Sequence, residues 1–215
     1  MGTSLNPLDG RPLLVGGILF TIALLLHPDV STLEGANAVS PALWTLVHWA
    51  YLIGDVLLVA GLVVLFRHVA TPAEGSGSGL AAIGLAGGLV GFALDAASTG
   101  IHMTAFPPAV SPSTPNLQNV FDAAGAVNTG IGNAGFLAAS VGLLVLGVVL
   151  KREGWSPVVA IGAIVVGALH VLLALMTGLT GSSPIPAGTA SLAVNALMPV
   201  WYAVVGGSAG KAKVQ

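Results

Sequence analysis

Six apolar runs succeed one another along the chain, at 12–27, 42–66, 80–104, 122–150, 157–178 and 188–207. Each approaches or exceeds the roughly 20 residues that a helix needs to cross a bilayer. Inside hydrocarbon the backbone must satisfy its own hydrogen bonds, and a continuous apolar run does so only as a helix. Of the 215 residues 55% are hydrophobic and 7% charged, against roughly 25% charged in a soluble domain. A soluble core of this chain length cannot hide so much apolar surface. The sequence therefore predicts an all-α polytopic membrane protein, one domain over residues 1–215, with six transmembrane helices in three hairpins. The fourth run is overlong and is expected to tilt or project. The sixth contains Asn195 and Pro199 and is expected to be kinked.

Basic residues set the expected orientation. Under this threading Arg11, Arg67, Lys151, Arg152, Lys211 and Lys213 share one side, whereas the connections 28–41, 105–121 and 179–187 hold no Lys or Arg. Both termini are then cytoplasmic and the chain is multi-pass in the cell inner (plasma) membrane. Residues 1–11 lack the basic start and small-residue cleavage site of a secretory signal, so the first run reads as a retained helix. Met1-Gly2 is followed by Asn6 where myristoylation wants Ser or Thr. The stretch 71–79, with Glu74 and alternating Gly and Ser, reads as a flexible linker. In the third run Gly84-x-x-x-Gly88 and Gly87-x-x-x-Gly91 predict close helix packing.

Chemistry is confined to a few side chains. The absence of cysteine removes disulfides and thiolate sites, and a net charge of −2 gives no reason to invoke nucleic acid. No Lys lies in a span for a retinal Schiff base, and no zinc-protease, serine-hydrolase, Walker or dinucleotide pattern occurs. Ionisable groups in hydrocarbon are costly and face the bundle interior. His48 and Asp55, seven residues apart, share one helical stripe. Asp95, Ser98, Thr99 and His102 form a second, and Asp122, Thr129, Asn133 and Ser140 a third. Converging, these stripes would line a polar cavity that opens outward.

Each residue has a structural alternative. His27 precedes Pro28 and His102 lies near a span end, so either can cap carbonyls at the interface. His68, beside Arg67, reads as interfacial. His170 lies deep among apolar neighbours and needs a partner, metal or cofactor. Asp55 and Asp95 have no Lys or Arg in any span to pair with, so each is protonated, hydrogen-bonded or a ligand.

The expected function is a haem b- or metal-binding redox component. His48 and His170, with His27 and His102 as substitutes, are the cofactor ligands; His48, His170, Asp95 and Asp55 are those for a metal. A small-solute or proton-coupled transporter is the alternative, expected as a homo-oligomer. An accessory or anchor subunit meeting membrane-embedded partners, and a lipid-modifying enzyme, complete the set. Leu25-Leu26-His27-Pro28, followed by Trp44 and His48-Trp49 and a long apolar run to Arg67, resembles a broad group of small bacterial six-helix membrane proteins. That resemblance covers the first two spans and implies no activity.

Overall fold

Proline and glycine set the helix boundaries. Residues 9–28, 30–69, 77–107, 110–180 and 189–209 are described in the computed structural model; Lys211, Lys213, Pro108, Pro184, Pro186, the 71–76 linker with Glu74 and the Met1-Gly2 end lie outside the described residues. Helix α1 (Arg11–Leu26) starts with proline in its first turn and stops where Pro28 holds His27 extended, at φ −64° and ψ 122°. Helices α3 (Pro41–Val69) and α6 (Pro157–Thr180) both begin on proline, whose missing N–H costs nothing there. Helix α4 spans Gly77–Ala105. Helix α5 (Leu117–Arg152) has 36 residues, about 54 Å, and so outruns a hydrocarbon core of about 30 Å. Just past its end, Gly154 takes φ 75°. There the Trp155 N–H reaches back to the Leu150 carbonyl at 3.0 Å, a left-handed cap that glycine adopts without strain. Helix α7 (Thr189–Ala209) carries Pro199 in its interior.

One helix lies outside the six apolar runs. Helix α2 (Leu33–Ala38) forms in the first connection, where the Thr32 side chain accepts from the Gly35 N–H at 3.0 Å. Its Ala36 is fully buried with Trp44, Phe106 and Phe121, so α2 roofs one end of the bundle.

The described residues are helical and contain no strand, and the helices close into a ring: α1 on α3, then α4, α5, α6 and α7, with α7 returning to α1. Neighbours run antiparallel. On α3 and α4, Leu62 meets Gly88, Asp55 meets Asp95 and His48 meets His102, while Trp44 and Phe106 share one cluster. Each step forward along α3 answers one step back along α4. The alternation brings Arg11, Arg67, Lys151 and Arg152 to one end of the ring.

Small residues allow the close approach. A Cβ on Gly142 would lie 2.5 Å from the Gly88 nitrogen and 2.9 Å from the Gly84 carbonyl oxygen; one on Gly91 would lie 2.6 Å from the Ala139 nitrogen. The α4–α5 contact is therefore backbone against backbone, as the glycine spacing predicts. Gly16 and Gly17 do the same for α1, against α3 and α7. Toward the basic end the interior is filled by Leu13, Leu58, Leu143, Leu150 and Tyr202. Toward the other end it opens into cavities. Outward-facing Ile22, Val56, Val165 and Leu172 are exposed, as a lipid-contacting belt requires.

Five helices, α3 to α7, are long and apolar enough to cross a membrane. Helix α1, at 16 residues, spans about 24 Å and falls short on length alone.

Candidate metal centre

Three imidazoles meet at the end of the ring opposite the basic residues. His27 comes from the α1 terminus that Pro28 fixes, His48 from the second turn of α3, and His102 from the last turn of α4. Each offers a ligating nitrogen, and these three atoms lie within 4.8 Å of one another. Ring centroids stand 5.2 Å apart for His27–His48, 5.3 Å for His48–His102 and 5.6 Å for His27–His102. The spacing is compatible with a shared metal ion and also with edge-to-face ring packing. With metal–nitrogen bonds of about 2.0–2.1 Å, imidazole centroids sit about 5.2 Å apart at a tetrahedral angle and about 6.4 Å apart when trans. The trio is nearly equilateral at the tetrahedral value.

Hydrogen bonds orient two of the rings for that task. His48 Nδ1 lies 2.7 Å from the Trp44 carbonyl, which can only accept, so Nδ1 carries the proton and Nε2 the lone pair. That Nε2 is buried with no hydrogen-bond partner. His27 Nδ1 likewise donates to the Pro28 carbonyl at 2.8 Å, which leaves its lone pair on Nε2. His102 Nε2 stands 2.8 Å from the Asn128 amide on α5, and Ser98 donates to the other end of that amide at 2.7 Å. The amide's two ends are alike in shape. Turned over, it accepts from His102 and frees the other ring nitrogen for a metal, which is how outer hydrogen bonds tune metal-bound histidines. Aromatic rings enclose the group: Trp44 lies on His48 at 4.1 Å and Phe106 against His102 at 4.6 Å.

Two cavities meet at His27 and His102, and His48 lines neither. One, of about 290 Å³, runs into the bundle past Tyr51, Phe92, Asp95, Thr99 and Asn195; the other, of about 450 Å³, lies toward the α2 end against Phe121, Asn128 and Thr129. His27, His102 and Leu192 border both. A metal held by the three imidazoles would keep its remaining position toward this space, as metal sites that do chemistry do.

The residues singled out in the sequence divide into groups. His27, His48 and His102 are brought together. Asp55 and Asp95 meet each other one helical stripe deeper, seven residues from His48 and His102. His170 is elsewhere: fully buried between α6 and α7, with Nδ1 at 2.9 Å from the Val166 carbonyl and Nε2 at 2.9 Å from the Val194 carbonyl. Phe136 closes on its ring at 4.9 Å. Both nitrogens of His170 thus face backbone carbonyls, to one of which a neutral ring donates, and it does not share the trio's space. Asp122 is exposed and held by Gln118 at 2.8 Å. Ser140 donates to the Phe136 carbonyl. Asn128 and Trp44, which orient the trio, lay outside the sequence-based site. Comparison with protein-family models, curated proteins and solved structures finds no match.

Proposed function

We propose that the chain is an integral membrane protein that binds one transition-metal ion through His27, His48 and His102. The observation that carries this reading is the near-equilateral trio with a buried, unpartnered His48 nitrogen. A donor set of neutral imidazoles without thiolate suits copper, iron, zinc or nickel. With copper or iron the site is a redox component; with zinc it is a Lewis-acid site. The three near-equal ring separations favour a bare ion over haem b, which would take two imidazoles and leave the third unused. Asp55 and Asp95 lie about 10.5 Å deeper along their helices, seven residues at 1.5 Å each, and so outside the ion's own ligand set.

We further propose that α1 is a sixth crossing. Ile18, Ile22 and Leu25 stand exposed along it while Gly16 and Gly17 press on α3 and α7. Six crossings place both termini with the basic end on the cytoplasmic side of the inner membrane, and the trio near the outer face.

Metal analysis of detergent-purified protein tests the reading. One ion per chain is expected, lost in His48→Ala and in His102→Ala. Undiminished metal in either variant, or none in wild type after exposure to copper, iron and zinc, would overturn it.

A further inference from the structure

The interior of the bundle holds two carboxyls that the metal reading does not use. Asp55 on α3 is 1% exposed, and neither of its oxygens meets a hydrogen-bond donor among the described residues. Its carboxyl interacts with that of Asp95 across the α3–α4 contact. Asp95 in turn lines the inner cavity that runs to His102. One acid is therefore shut away and the other faces a space open to small polar molecules.

Two adjacent carboxylates with no Lys or Arg beside them among the described residues cannot both stay ionised. The other titratable side chains on the packed helices are Tyr51, His48 and His68 on α3, His102 on α4, Asp122 on α5, His27 on α1 and Tyr202 on α7. On α5 the basic Lys151 and Arg152 lie at the far end, as do Arg11 and Arg67. A second metal ion is a poor occupant, because hard cations take six or more oxygen ligands and the pair supplies two carboxyls. A proton needs only what is there.

We propose that Asp55 and Asp95 share a proton and exchange it with the inner cavity. Asp55 holds it, Asp95 passes it, and the cavity with Thr99 leads it toward the histidine end. In the step itself an O–H bond at one carboxyl breaks as one forms on a cavity water, and no electron moves. A cation at the trio lies about 10.5 Å away, seven residues along each helix, and favours the ionised pair. Its arrival should drive the shared proton out. This last coupling rests on the metal reading; the proton-sharing pair does not.

Infrared spectroscopy tests both parts. Metal-free wild type at neutral pH should show a protonated-carboxyl C=O band that shifts in heavy water. The band should vanish in the double variant Asp55→Asn/Asp95→Asn, since the other described acids, Asp9, Glu34, Asp122 and Glu153, are solvent-exposed. No band in wild type, or a band that ignores heavy water, overturns the pair whatever the variant's folding; so does a band that survives in a folded double variant. Zinc is then added. Loss of the band with release of about one proton per ion supports the coupling; stoichiometric zinc with an unchanged band overturns it. Failure to bind zinc overturns the metal reading instead and leaves the metal-free result on the pair standing.

Discussion

Asn128→Ala should weaken metal binding without removing a ligand. The Asn128 amide bridges His102 at 2.8 Å and Ser98 at 2.7 Å, and it is the only polar side chain among the described residues recorded within hydrogen-bond reach of the His102 ring. Truncation leaves that ring free to turn about its own bonds, so the donor atom must be ordered when the ion arrives. Loss of such an outer partner typically costs about 10–100-fold in metal affinity, or about 1.4–2.8 kcal/mol at 1.4 kcal/mol per decade. Asn128 is half-buried, so the fold itself should lose only about 1 kcal/mol. Competition against a chromophoric chelator in detergent reads the affinity directly. Asn128→Asp is the control, because a carboxylate accepts from the imidazole more strongly and should hold or tighten binding. Unchanged affinity in Asn128→Ala, alongside abolished binding in His102→Ala, would refute the argument that the amide sets the ring.

Three other outcomes follow from the same geometry. His170→Ala should leave metal stoichiometry intact while lowering the thermal midpoint, since it empties a fully buried ring site at a cost of about 2–5 kcal/mol; loss of metal in a folded variant would place His170 in the site. Gly142→Leu should unfold or separate α4 from α5, because even a Cβ meets Gly88 backbone at 2.5 Å; a thermal midpoint equal to wild type would contradict that packing. The Arg11 guanidinium beside Asp9, at 2.9 Å, holds that carboxyl below the usual carboxylate range. The pair therefore helps the folded state above the ordinary carboxylate value and stops helping as pH falls through the lowered one. Both groups are solvent-exposed and screened, so Asp9→Asn should lower stability only slightly above the carboxylate range, and a large shift in the acid limb would refute this.

The apolar runs made the long helices legible, because in lipid length and hydrophobicity suffice to define an element. Helix α2 was not, since a six-residue helix in a polar connection has no periodicity to display. Seven-residue spacing put His48 with Asp55 and Asp95 with His102, and both stripes face inward. Which stripe end meets which is a matter of register between helices, invisible to the period of either one. A signal existed: in an antiparallel hairpin turning near residue 75, His48 and His102 are equidistant from the turn, and so are Asp55 and Asp95. His27 is recruited by Pro28, whose local effect was readable though its aim was not. His170 shows why depth alone misleads. A buried imidazole faces two backbone carbonyls instead of a side chain, a partner class no side-chain pattern reveals.

X-ray absorption at the metal edge of copper- or zinc-loaded protein tests the centre most directly. Three imidazole nitrogens at about 2.0–2.1 Å and one light atom in an open position are what this arrangement dictates. A spectrum dominated by carboxylate oxygens, or one unaltered by His48→Ala, would mean that the three rings meet for some reason other than holding a metal.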